Sequence, residues 1–258
     1  MAKPVYYYGT HAVHAILEQR GIDGLNLFVQ DNKQDSKTDK TVQKILELAK
    51  NYGISVQFSA KDKLTKLAES PQHQGIVLQA RPAEVADEGD LTQLIEQFKQ
   101  QNKAILLLIL DQITDPNNLG ACLRTAVAMG VSAVIIPKNH SSSITPAVAK
   151  VAVGATELIP FIQVTNLART LNDIKKQGIF VYGTALDDTA KSVQQIDLTG
   201  NVAIVMGSEG DGIRRLTADT CDQLVYIPMS GNEQGVIQSL NVSVATGMML
   251  YEASRQRS

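Results

Sequence analysis

The 258-residue sequence contains no tryptophan, only two cysteines and only four histidines. Cys122 and Cys221 are far apart and form no CxxC motif, which predicts two unpaired thiols in a reducing compartment. The histidines form no metal-ligand cluster with these cysteines, so we expect no structural zinc. The longest aliphatic run, residues 104–110, is too short to span a bilayer, and no apolar secretory segment follows Met1. We therefore expect a cytoplasmic protein without a metal or a membrane span.

Charged residues are also few, at 19% of the chain, and they are unevenly distributed. Residues 1–81 carry 11 Lys and Arg against 8 Asp and Glu, a net of +3, whereas residues 82–258 carry 13 against 18, a net of −5. Five acids and no base precede Lys99 in the segment 82–98. This distribution predicts a front domain at 1–81 suited to RNA phosphates, an acidic linker with a first helix at 82–98, and a second domain at 99–258.

Hydrophobic periodicity predicts an α/β fold in both domains. Helical and strand patterns alternate over the first 80 residues, which is a plausible size for a small domain. In the second domain, continuous apolar runs at 104–110, 132–136, 179–184 and 202–206 alternate with helical segments, which predicts a mostly parallel sheet covered on both faces. Near the front, Tyr6, Tyr7 and Tyr8 suit either base stacking or an edge strand with alternating burial.

Polar and glycine-bearing stretches follow three strands of the second domain, at 111–126, 207–212 and 228–241. Ligands of parallel sheets bind beyond the carboxyl ends of the strands, so these stretches are candidates for one site. Gly207, Gly210 and Gly212 permit a ligand to approach the backbone, and we expect a branched side chain at Gly207 to fill that space. The last helix is predicted to begin near Asn241, with Ser239 as its N-cap. No GxGxxG follows the first strand, which disfavours a dinucleotide fold.

Together these stretches resemble the three motifs of the SpoU/TrmH ribose methyltransferases of the SPOUT superfamily. The matching segments are Asp115-Pro116-Asn117-Asn118-Leu119-Gly120 with Arg124-Thr125-Ala126, then Met206-Gly207-Ser208-Glu209-Gly210, and then Ile227-Pro228-Met229 with Ser239-Leu240-Asn241-Val242-Ser243-Val244-Ala245. The front domain resembles the ribosomal-protein-like RNA-binding domain of the family, through Tyr8-Gly9-Thr10-His11-Ala12-Val13 and Gln74-Gly75-Ile76-Val77.

The resemblance implies a fold and a cofactor that the residue pattern alone does not provide. It implies a deep trefoil knot made by the C-terminal segment, with S-adenosylmethionine (SAM) bound in that knot. By motif position the cofactor contacts would be Gly207, Gly210, Ile227, Met229 and Leu240. It also implies a homodimer formed through the knot region and the final helix.

The resemblance further implies a set of catalytic residues. Arg124 would hold the target phosphate and stabilise developing charge, because a guanidinium is not deprotonated in proteins. Asn118 would orient the ribose or only cap its helix, and Glu209 would accept a hydrogen bond from Arg124 or Asn118. Ser239 and Asn241 would touch the hydroxyl group, or cap the last helix, or do both.

Within the family, the chain is most similar to members that methylate a guanosine ribose in bacterial 23S ribosomal RNA. The resemblance therefore implies a SAM-dependent 2′-O-methyltransferase with 23S rRNA as its partner. A tRNA ribose methyltransferase and a non-catalytic RNA-binding assembly factor are the alternatives. The connection at 230–238 is longer than in other members, and it suits either a lid over the cofactor or a passive insertion.

Overall fold

The computed structural model describes residues 4–31, 40–82, 85–139, 141–208, 210, 212–229 and 239–258. The chain divides into two compact units. The first unit comprises Met1–Glu84 together with Ser143–Leu158, and the second comprises Val85–Ser142 together with Ile159–Ser258.

The first unit is a four-stranded sheet with helices on both faces. In chain order its elements are β1 (Val5–Tyr8), α1 (Thr10–Arg20), β2 (Gly24–Gln30), α2 (Lys40–Asn51), β3 (Ser55–Ser59), α3 (Lys61–Ala68), β4 (Ile76–Ala80) and, from the later segment, α6 (Pro146–Val151). The sheet order is β1-β4-β2-β3, in which β4 is antiparallel to both neighbours and β2 is parallel to β3.

Strand β1 lies at the edge of the described sheet, as predicted, but its burial does not alternate. Tyr7 and Tyr8 are both buried, on opposite faces. Tyr7 packs in the core formed with α1 and α2, and Tyr8 packs with Leu64 of α3. The prediction of alternation is wrong because helices cover both faces of this edge strand.

The segment Ser143–Leu158 packs into the first unit although it follows β6 in the chain. Ala149 of α6 is buried in the same core as Tyr7. Arg20 Nε donates to Glu157 Oε2 at 2.6 Å, and both side chains are largely buried. Sequence order places this helix in the second α/β series, since periodicity identifies a helix without identifying what it packs against.

The second unit contains a seven-stranded sheet in its described residues. Its elements are α4 (Glu88–Gln100), β5 (Leu106–Leu110), α5 (Pro116–Ala128), β6 (Ala133–Pro137), β7 (Phe161–Val164), α7 (Leu167–Lys176), β8 (Phe180–Thr184), β9 (Lys191–Ser192), β10 (Val202–Met206), α8 (Arg215–Thr220), β11 (Gln223–Tyr226) and α9 (Val242–Arg257). The order is β7-β6-β5-β10-β8-β11-β9 and every pairing is parallel, which confirms the predicted parallel sheet.

The central strands of this sheet are buried on both faces. Every residue of β5, β6 and β10 is buried, as their uninterrupted apolar sequences require. Helices α4 and α7 cover one face, where Ile95, Leu107, Val205 and Leu171 share a core. Helices α5 and α9 pack against each other, and α9 also contacts β10. This packing fixes the first turns of α5 and α9 with respect to the strand ends.

Candidate active site

A cavity of about 370 Å³ opens at the carboxyl ends of β8, β10 and β11, beside the start of α9. All five predicted cofactor contacts line it, and so does one predicted catalytic residue: Gly207, Gly210, Ile227, Met229, Leu240 and Ser239. The structure thus brings residues from two distant motifs to one cavity. The cavity also lies where ligands of parallel sheets bind.

The wall formed by the β10–α8 connection is a tight glycine loop. Ser208 N donates to Gly212 O at 3.0 Å, and Gly212 N donates to Ser208 O at 3.1 Å. Gly210 and Gly212 have φ values of 98° and 68°, which disfavour other residues. A Cβ on Gly207 would overlap the backbone of Gly212 and Ile213. Glycine at 207 is therefore required by loop closure, in addition to the predicted need for ligand space at this position.

Asp111 holds both ends of this loop. Its backbone N–H donates to Met206 O at 2.8 Å, where the loop begins. Its carboxylate accepts from Arg214 N at 3.1 Å and lies 2.7 Å from Arg214 Nη2, where the loop ends. The Nη2–Oδ1 approach is not aligned as a hydrogen bond, so charge attraction holds that oxygen. The carboxylate is wholly buried and the Arg214 side chain is 40% exposed.

The first turns of α5 and α9 meet through two asparagines. Asp115 caps α5 by accepting from the backbone N–H groups of Asn117 and Asn118. Asn241 caps α9, and its Nδ2 donates to Asn118 Oδ1 at 3.0 Å. The prediction that Ser239 caps this helix is wrong, because the helix begins at Val242 and the Asn241 side chain already accepts from its first turn. Ser239 lies instead at the exposed rim of the cavity.

Arg124 lies on α5 with an exposed side chain. Among the described residues, no carboxylate or carbonyl group pairs with its guanidinium group. Its predicted partner Glu209 lies outside the described residues, as does the connection 230–238 that was predicted to be a lid or an insertion. An exposed guanidinium group without a partner among the described residues can bind an anionic ligand.

The two thiols are not nucleophiles of this site. Cys122 is buried between α5 and α9, donates to Thr246 Oγ1 at 3.5 Å, and has its pKa raised by burial to about 11. Burial likewise raises the pKa of Cys221 to about 12. Both side chains remain protonated at neutral pH, when a thiolate would be needed for attack.

Sequence reasoning missed several residues of the site. Thr184, the last residue of β8, lines the cavity together with Ala185 and Leu186, which follow it. They lie at the carboxyl end of a strand, so the rule applied to the other three strands could have found them. Nothing in the sequence showed that Asp111 would be buried or that Arg214 would pair with it, because that pair joins residues 103 positions apart.

The described cavity residues fit SAM. A volume of about 370 Å³ lies within the range of small-molecule sites. Ile227, Met229 and Leu240 offer apolar contacts for an adenine ring, and the glycine loop exposes backbone groups for polar contacts. None of the described lining residues carries a charge.

Comparison with known protein families matches both parts of the chain. The model of the SpoU rRNA Methylase family matches residues 105–251, and that of the RNA 2′-O ribose methyltransferase substrate binding family matches residues 6–86. The chain belongs to the SpoU rRNA methylase family. The resemblance drawn from the three motifs is thereby confirmed.

Two curated relatives are similar to this chain over nearly their whole lengths. Both are named 23S rRNA (guanosine-2′-O-)-methyltransferase RlmB. The one from Acinetobacter baylyi is 55% identical, with 100% of this chain and 99% of the relative covered. The one from Coxiella burnetii is 46% identical, with 100% and 98% covered.

A solved structure supports the fold. The SpoU methyltransferase AviRb from Streptomyces viridochromogenes, in complex with the cofactor AdoMet, superposes with a TM-score of 0.72. It is 21% identical and the match covers 98% of this chain and 90% of that one. At this identity the likeness establishes the α/β fold of both parts and nothing finer.

Proposed function

We propose that this protein is a SAM-dependent methyltransferase that methylates the ribose 2′-hydroxyl group of a guanosine in 23S rRNA. The observation that carries the proposal is the cavity at the strand ends, which motif residues line in a chain of the SpoU family. The relatives named for this reaction align with the chain over almost every residue, so both the catalytic and the RNA-binding parts are included.

Five residues are proposed to hold the cofactor: Gly207, Gly210, Ile227, Met229 and Leu240. SAM supplies a methyl group bonded to a positively charged sulfur atom. Transfer of this methyl group would join its carbon to the ribose 2′-oxygen as its bond to sulfur breaks, which would leave a neutral thioether, and the hydroxyl proton would pass to water. The cavity walls would hold the cofactor in one orientation, and such placement accounts for several kcal/mol of barrier lowering in enzymes.

Arg124 and Asn118 are proposed to act on the RNA. The Arg124 guanidinium group binds the phosphate of the target nucleotide and stabilises negative charge that develops on the 2′-oxygen. It does not accept the proton, because arginine stays charged in proteins. Asn118 orients the ribose from the first turn of α5, and Glu209 is proposed to accept a hydrogen bond from either residue.

The start of α9 completes the proposed catalytic set. Ser239 and Asn241 are proposed to touch the 2′-hydroxyl group, which is supported by the position of Ser239 at the rim of the cavity and by the hydrogen bond from Asn241 to Asn118. Asn241 combines this role with its role as the helix cap.

The first unit is proposed to bind the 23S rRNA substrate. It contains nearly all of the segment that matches a substrate-binding family, residues 6–86, and residues 1–81 carry a net charge of +3. Basic surfaces attract RNA phosphates. We place the protein in the cytoplasm with its ribosomal substrate. No helix in the described part of the chain is long and apolar enough to cross a membrane.

We further propose a homodimer formed through the C-terminal region. Val244, Met248 and Tyr251 follow one another at helical spacing on α9, and all three are exposed. An exposed apolar stripe of this kind is typical of an interface. The deep trefoil knot of the family is proposed for the same region.

The proposed function is tested with the purified chain, SAM carrying a labelled methyl group, and unmodified 23S rRNA. We expect label at the 2′-oxygen of one guanosine, located by mapping 2′-O-methyl sites. Label in tRNA alone, or no binding of SAM by calorimetry, would overturn the proposal in favour of a tRNA enzyme or a non-catalytic factor.

The role of Arg124 is tested in the same assay. Arg124→Ala should lower turnover and leave the SAM dissociation constant unchanged, because the proposed partner of this side chain is RNA. Arg124→Lys should restore little activity, since lysine lacks the two-pronged donor geometry of a guanidinium group. Loss of SAM binding by a folded Arg124→Ala protein would refute the assigned role.

A further inference from the structure

Ser243, in the first turn of α9, makes two hydrogen bonds to one atom. Its backbone N–H donates to Asn241 Oδ1 at 3.0 Å, and its Oγ donates to the same oxygen at 2.6 Å. The first bond is the usual bond of an N-cap residue. The second is additional, because a cap requires only the backbone donor.

The two bonds determine which way the Asn241 amide group faces. An amide has an oxygen that only accepts and a nitrogen that only donates. The Ser243 N–H can only donate, so the end of the amide that it meets is the oxygen, and the hydroxyl group donates to that same oxygen. The nitrogen therefore faces Asn118, where Nδ2 donates to Asn118 Oδ1 at 3.0 Å. A reversed Asn241 would place its NH₂ group against the Ser243 N–H, and it would also lose the bond from the hydroxyl group to the amide oxygen.

The orientation is passed on to Asn118. Because Asn118 Oδ1 accepts from Asn241, the Asn118 amide nitrogen is the end directed away from Asn241. The three residues form a directional chain from the Ser243 hydroxyl group through Asn241 to Asn118. They are all partly buried, and hydrogen bonds strengthen one another under such conditions.

We propose that Ser243 is a positioning residue for methyl transfer, which acts by orienting the amide groups of Asn241 and Asn118. Through this chain, the Asn118 amide group is held with its oxygen on Asn241 and its nitrogen on the opposite side. The inference rests on the proposed function of the site and adds to it a residue that does not itself touch the substrate.

The test compares Ser243→Ala with Ser243→Thr in the full-length protein. Ser243→Ala removes the hydroxyl donor, and we expect kcat on 23S rRNA to fall about tenfold while KM for SAM changes less than about twofold, because misorientation acts on the chemical step. Ser243→Thr keeps the hydroxyl group and should restore most of the lost kcat. Ser254→Ala, which replaces a serine three turns further along α9, is the matched control and should retain wild-type kcat.

A second comparison separates positioning from a merely structural role. If Ser243 acts through Asn118, then adding Ser243→Ala to Asn118→Ala should cause no further loss of kcat. An equal loss in both backgrounds would overturn the proposal. So would an unchanged kcat of Ser243→Ala, or a loss that Ser243→Thr does not reverse and that accompanies a lower melting temperature. A wild-type protein without activity would instead overturn the proposed function.

Discussion

The buried carboxylate of Asp111 and its partner Arg214 provide the sharpest test of the loop that forms the cavity wall. We expect Arg214→Ala to destabilise the protein more than Asp111→Asn does. The reason is their unequal burial, since Asp111 is wholly buried and the Arg214 side chain is 40% exposed. When one partner is removed, the charge of the other loses its counter-ion. The Arg214 side chain can then be solvated by water, whereas the Asp111 carboxylate stays buried.

The expected magnitudes follow from that asymmetry. Removing one partner of a fully buried ion pair costs about 3–5 kcal/mol, and the exposure of Arg214 places Arg214→Ala near the lower end, at about 3 kcal/mol. Asp111→Asn keeps an acceptor for Arg214 N and loses one charged interaction. It should therefore lower the free energy of unfolding by about 2 kcal/mol. The double variant leaves no buried charge and should cost about 2 kcal/mol, less than Arg214→Ala alone.

The assay is urea unfolding followed by far-ultraviolet circular dichroism, since the chain contains no tryptophan. SAM affinity is measured by calorimetry on the same proteins. We expect each single variant to bind SAM more weakly, because Asp111 holds both ends of the loop that lines the cavity. Equal costs for the two single variants, or a double variant whose cost is the sum of theirs, would refute the reasoning.

Two further predictions concern backbone geometry. Gly207→Ala should lower the melting temperature and weaken SAM binding, because its Cβ would overlap the backbone of the same loop; Gly200→Ala, which meets nothing within 4 Å, is the control, and equal behaviour of the two would contradict this account. Val153 has a φ of 54°, which is strained for a β-branched residue, so Val153→Asn should raise the urea midpoint by the equivalent of about 1 kcal/mol. A lower midpoint would show that the strain is not released.

The positions of the cavity residues could be predicted from the sequence because they follow predicted strands, although only the strand before Gly207 is wholly buried. The strand before Gly207 and the strand before Ile227 are short apolar runs, and parallel strands bring their carboxyl ends to one edge. The family motifs then indicated the ligand. Which residue caps α9 could not be predicted, since Ser239 and Asn241 are both good caps and the backbone path between them decides.

Contacts between distant residues could not be predicted from local patterns. The pairing of Asp111 with Arg214 depends on the neighbouring positions of β5 and β10 in the sheet, which the order of elements along the chain does not fix. The burial of Tyr8 likewise depends on α3. In each case the residue type suits several environments, and the tertiary fold selects one.

The packing of Ser143–Leu158 into the first unit has a consequence for how this protein can be divided. The chain passes from one unit to the other near residue 84, again near 142 and again near 158, so a single cut cannot separate them. A shortened protein that begins after residue 84 would keep α6. It would lose the core that surrounds Ala149 and would also lose Arg20, the partner of Glu157. Exchange of the RNA-binding part between relatives therefore requires two segments to be transplanted together, one of them taken from within the catalytic sequence.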